Sequence, residues 1–158
     1  MTKMLKRRGS LLAAAAALLL AGGCDAGGRG GGIAVKDAWV RMPASKSQPG
    51  AAYFRIEGGE EGTKLLGLSS PLVRWVELHE TIEKDGRTRM RETKEVEFPS
   101  RGALEFKPGG RHVMLRGMSD EIAPGGTVPL TFAFNNAPPV TVDAPVRAAG
   151  DEAPHEGH

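Results

Sequence analysis

PGGRHVMLRGM, residues 108–118, decides the reading of the fold. Val113 and Leu115 alternate with His112 and Met114, which is the period of two that a β-strand imposes on its side chains. The two aliphatic residues therefore point to one face of a strand and the histidine and methionine to the other. Pro108, Gly109 and Gly110 supply the turn that precedes it.

The same grammar runs outward in both directions. IAVKDAWVRM, AAYFRIEG, TKLLGLSS, RWVELHETI, RTRMRETKEVEF, ALEF, TVPLTFAFN and PVTVDAPV read as strands or strand pairs. They are separated by SQPG, EGGEEG, SSP, KDG, PSRG, KPGG, APGG and NNAPP. Asp85-Gly86 is a two-residue hairpin signal joining the runs around His79 and Met90. Beyond the N-terminal leader no stretch has helical periodicity. The fold class expected is all-β, an antiparallel β-sandwich or barrel.

The ends are of a different character. Lys3, Lys6, Arg7 and Arg8 precede eleven apolar residues, Leu11 to Ala21, which is the layout of an export signal and too short for a membrane span. The only cysteine, Cys24, follows Leu20-Ala21-Gly22-Gly23 and resembles the lipid-modified cysteine of a bacterial lipobox. Residues 1–23 are thus expected as a signal peptide of lipoprotein type, and residues 24–32 as a Gly-rich tether. Residues 33–148 form the β domain, and residues 149–158 a polar tail. The expected location is outside the cytoplasm, periplasmic or cell-surface, on a membrane anchor. The leader holds four of the 21 basic residues and none of the 19 acidic ones. The chain from Cys24 onward carries 17 against 19, a net −2, so no basic domain points to nucleic acid.

Two of the four histidines, His79 and His112, lie in the domain. In RWVELHETI, Val76 and Leu78 share one face while Trp75, Glu77, His79 and Thr81 share the other. Met90 sits between Arg89 and Arg91, a poor setting for a core methionine. Singly, a strand histidine is most often a hydrogen-bonded boundary residue and a methionine a packing filler. Together, two imidazoles and two thioethers fall on strands that a hairpin and a later return bring together. Neutral nitrogen and soft sulfur suit Cu(I). Calcium or magnesium would want oxygen ligands. Structural zinc and blue copper would both want thiolate, which the domain lacks. Met118 reads as packing, Met42 as a core or edge residue or else a thioether just outside the candidate set, and Trp39 and Trp75 as structural. Arg89, Arg91 and Arg111 flank the candidates and either meet an acidic partner or are simply solvated.

His79, ten residues, Met90, twenty-one residues, His112, one residue, Met114 resembles the H-x10-M-x21-H-x-M signature of the PCu(A)C copper chaperones. The likeness extends from DAWVR through AAYFRIEG, VELHET, DGRTRMRE and KPGGRHVMLRGM to GGTVPLTFAF. It implies a cupredoxin-like β domain that holds one Cu(I) on His79, Met90, His112 and Met114. It also implies delivery of copper to cytochrome c oxidase or other copper-assembly proteins, without catalysis. Glu80 departs from the family, which often has Met there; on a strand it would face away from His79. In the tail, His155 and His158 with neighbouring carboxylates are either a secondary Cu(II) site or a solvated terminus. Two other classes remain open: an Ig-like structural or adhesion module, and a copper-dependent enzyme. No Ser/His/Asp set or cysteine nucleophile is readable in the domain.

Overall fold

The computed structural model describes residues 28–30 and 32–151. Cys24, His155, His158 and the expected leader lie outside them. Strand β1 is Gly28–Gly30, within the stretch expected as tether, and it pairs with the start of β2, Ile33–Arg41. There follow β3 (Gly50–Glu57), β4 (Thr63–Ser69), β5 (Val73–Lys84), β6 (Arg87–Thr93), β7 (Val96–Phe98) and β8 (Ala103–Phe106). The last three are β9 (His112–Met118), β10 (Thr127–Phe134) and β11 (Val140–Arg147). No helix occurs among the described residues.

The strands join in the order β6-β5-β9-β3-β2-β11-β10-β4-β7, with β1 added beside β2 and β8 beside β3. Apart from a short parallel contact between β2 and β11, Val40 opposite Val146 and Arg41 opposite Arg147, every pairing is antiparallel. The sheet folds over on itself across that contact, and its two halves share one core. Phe54 of β3 meets Phe132 of β10 edge-on at 4.8 Å, although neither strand neighbours the other, and stacks on Phe106 of β8 at 4.4 Å. This is the all-β sandwich expected.

Alternation explains which residues reach the core. Along β11, Val140, Val142, Ala144 and Val146 are buried while the residues between them are not. Val113 and Leu115 of β9 are completely buried, and Leu78 of β5 nearly so. The Asp85-Gly86 turn carries positive φ at both residues, 54° and 68°, the twist that matches a two-residue hairpin to right-twisted strands. It sets Lys84 opposite Arg87 and so fixes the whole β5–β6 register.

Candidate metal centre

Register, more than sequence distance, assembles the site. Across β5 and β9, His79 stands directly opposite His112, and Glu77 opposite Met114. Across β5 and β6, Thr81 stands opposite Met90. Across β9 and β3, Met114 stands opposite Ala51, which in turn faces Arg41 of β2. Facing residues in a ladder share a side of the sheet. His79, Met90, His112 and Met114 therefore lie on one face, and Leu78, Val113 and Leu115 on the buried one. The rings of His79 and His112 lie 5.7 Å apart between centroids and are roughly parallel.

A cavity of about 310 Å³ opens on this face, lined by Met90, His112 and Met114 together with Arg41, Tyr53 and Thr81. Met90 is 63% exposed at its rim, so its side chain adds little to the core. Met114 and His112 are half-buried, and the His79 side chain is 12% exposed. Among the described residues, no three His, Cys, Asp or Glu side chains come together as a metal cluster. What the face gathers is imidazole plus thioether, a soft and neutral donor set.

The surroundings hold these donors in place. Gly109, at φ 80°, takes the left-handed conformation that the Pro-Gly-Gly turn requires, and the turn closes through Gly110 N–H donating to the Lys107 carbonyl at 3.0 Å. The Gly110 carbonyl then accepts from His112 Nδ1 at 3.2 Å and from Thr81 Oγ1 at 3.0 Å. The turn thus does more than start β9: it orients the first ligand candidate on it. His79 Nε2 lies 3.1 Å from Glu77 Oε2, while its Nδ1 is buried without a hydrogen-bond partner. Arg116 Nε donates to Met114 Sδ at 3.2 Å and lies 3.9 Å from Glu77 Oε2.

On the reverse face, Glu80 pairs with Arg91 and lies 3.9 Å from Arg111, the neighbours of Met90 and His112. Its side chain faces away from His79, as expected, and ties β5 to β6 and to the residue that precedes β9. Arg91 and Arg111 are therefore engaged within the chain, whereas no ion pair engages Arg89 among the described residues.

Met42 and Met118 pack against the core, and Met118 lies under Gly50, where an added Cβ would come within 2.5 Å of its sulfur. Trp39 is buried against Tyr53, ring centroids 4.6 Å apart. Trp75, by contrast, is 55% exposed, on the ligand face of β5 with the Arg74 guanidinium over its ring at 5.2 Å. Arg41, Tyr53, Glu77 and Arg116 were absent from the sequence-based candidate set. Glu77, two residues before His79, and Arg116, two residues after Met114, each share a strand face with a ligand candidate. Burial raises the Tyr53 phenol above its usual range, with the Arg41 guanidinium pulling the other way. The neutral hydroxyl accepts a hydrogen bond from Arg41 Nη2.

Known proteins share this arrangement of strands. The copper-bound PCuAC domain from PmoF2 superposes with a TM-score of 0.65 at 24% identity, over 77% of this chain and 97% of its own, a likeness of fold. The solution structure of CuI-DR1885 from Deinococcus radiodurans is 27% identical with a TM-score of 0.58, over 77% of this chain and 78% of its own. In sequence, the "Putative lipoprotein Lxx21020" of Leifsonia xyli subsp. xyli is 31% identical over 118 residues, 73% of this chain and 70% of that protein. The family model described as "Putative lipoprotein LpqE-like" matches residues 33–146, from the first residue of β2 to the penultimate residue of β11. The chain belongs to the LpqE-like family and has the PCuAC fold.

Proposed function

We propose that this chain is a non-catalytic copper chaperone outside the cytoplasm that carries one Cu(I) on His79, Met90, His112 and Met114 and delivers it to cytochrome c oxidase assembly. The observation that carries the reading is the β5–β9 and β5–β6 register, which sets two imidazoles and two thioethers on one face of the sheet. A relative solved with Cu(I), DR1885, supports the choice of metal. Two imidazoles and two thioethers leave the bound ion with a single positive charge and favour Cu(I) over harder ions. With no thiolate among the ligands, a thiol-rich acceptor can take the ion by ligand exchange. Met90, exposed at the rim, is the ligand such an acceptor displaces first.

The test is an anaerobic competition titration of protein carrying Cys24→Ser, so that no free thiol contributes. One tightly held Cu(I) per chain is expected; no binding above that of a His79→Ala, His112→Ala variant sinks the proposal. Imidazole ligates only when neutral, so protons compete with the metal. Acidification is therefore expected to lower Cu(I) affinity. An affinity that does not change on acidification of the folded protein would exclude histidine ligation.

Cys24, lipidated after removal of residues 1–23, anchors the domain to the membrane. His155 and His158 form a secondary Cu(II) site in the tail with nitrogen and oxygen ligands. Deleting residues 150–158 is expected to lower Cu(II) capacity, measured by equilibrium dialysis, and to leave Cu(I) affinity unchanged. Unchanged Cu(II) uptake would reduce the tail to a terminus.

A further inference from the structure

The two histidines differ in how their rings are held. His112 Nδ1 lies 3.2 Å from the Gly110 carbonyl oxygen, and a carbonyl only accepts. In the neutral ring the proton is therefore on Nδ1, and Nε2 carries the lone pair. His79 is the reverse. Its Nε2 lies 3.1 Å from Glu77 Oε2, a carboxylate that also only accepts, so the proton is on Nε2 and the lone pair on Nδ1. That Nδ1 is fully buried and has no hydrogen-bond partner, the one such side-chain nitrogen or oxygen among the described residues. A buried acceptor left unpaired is costly, and a native protein rarely keeps one without a use.

We propose that Glu77 is a positioning residue that fixes the tautomer of His79, so that the two histidines ligate through different nitrogens: His79 through Nδ1 and His112 through Nε2. The inference rests on the Cu(I) reading above and adds to it a residue outside the four ligands. Metal-bound histidines commonly donate their second N–H to a carboxylate or a carbonyl, which sets ring orientation and raises ligand basicity. Here one ring uses each kind of acceptor. Glu77 is itself steadied by Arg116, 3.9 Å away, whose Nε also donates to Met114 Sδ. Glu77 and Arg116 thus connect a ligand on β5 to a ligand on β9 outside the metal.

Side-chain proton–nitrogen NMR of the protein at about pH 8, where free imidazole is neutral, reads this directly. The metal-free protein is expected to show His79 protonated at Nε2 and His112 at Nδ1. Adding Cu(I), which is diamagnetic, should shift the resonances of His79 Nδ1 and His112 Nε2. Glu77→Gln offers an N–H as well as a carbonyl, so the His79 tautomer should become mixed. Cu(I) affinity should then fall by about 10- to 100-fold, the usual cost of losing such a partner. Glu83→Gln, which removes one exposed carboxylate from the same face of β5, should change affinity by less than about threefold. That variant separates orientation from loss of charge.

Copper found on His79 Nε2, or a Glu77→Gln protein with unchanged tautomer and affinity, overturns the inference. A His79→Ala protein that binds Cu(I) as tightly as the parent overturns the copper reading itself. A weakened His79→Ala protein together with copper on Nε2 removes only the role given to Glu77.

Discussion

Replacing Met90 and Met114 together by leucine is expected to lower Cu(I) affinity by more than about 100-fold, beyond the 10- to 100-fold that loss of an outer-shell partner costs. Leucine fills nearly the volume of methionine, and such exchanges usually cost less than about 1.5 kcal/mol of stability. Met90 stands largely in solvent and Met114 is half-buried over the cavity, so neither supports the core. The substitution removes two sulfur atoms and little else. Competition with a Cu(I) chelator under anaerobic conditions, beside urea unfolding of both proteins, separates loss of ligands from loss of fold. Equal affinity in a fully folded variant would mean that the thioethers do not touch the metal.

Phe54→Ala is expected to cost about 3–5 kcal/mol of stability, the range for truncating a buried phenylalanine. Phe54 is only 2% exposed, stacked on Phe106 and meeting Phe132 edge-on from the opposite half of the sheet. No other aromatic contact links β3 to β10 among the described residues. The alanine leaves a void where the two halves meet, and aromatic pairs of this kind are themselves worth about 0.5–1.5 kcal/mol beyond the area they bury. Urea-induced unfolding followed by tryptophan fluorescence measures the loss. A change below about 1 kcal/mol, under the range for such a truncation, would mean that the two halves do not share one core.

The parts of this molecule that could be read in advance are those governed by neighbours along the chain. The alternation in RHVMLRGM put Val113 and Leu115 inside and His112 and Met114 on the other face, and β9 has that pattern. Asp85-Gly86 marked its hairpin because the turn needs two residues at positive φ. Spacing linked His79 to Met90 and His112 to Met114. The β5–β9 pairing that sets the histidines opposite each other joins residues 33 positions apart, and no local pattern encodes it. The parallel contact of β2 with β11 rests on two residue pairs at opposite ends of the domain and leaves no periodic trace.

The support around the candidate ligands was hidden for a related reason. Glu77 was on the expected face, but its distance to His79 Nε2 depends on rotamers. Arg116 lies two positions after Met114 on the same face of β9, but its contact with the sulfur depends on rotamers. Tyr53 looks like an ordinary strand residue until the β2–β3 pairing brings it beside Arg41. The Gly110 carbonyl that orients His112 is a backbone atom, invisible to any reading of residue types. Trp75 has the parity of His79 expected from RWVELHETI, and that parity turns it outward, 55% exposed.

The central claim is that one Cu(I) sits between two imidazoles and two thioethers. X-ray absorption at the copper K-edge, on protein carrying Cys24→Ser and loaded anaerobically with one equivalent of Cu(I), counts those neighbours directly. The account predicts two nitrogen and two sulfur scatterers, with both sulfur scatterers lost in the Met90→Leu, Met114→Leu protein. A first shell of nitrogen and oxygen alone in the parent protein would contradict it.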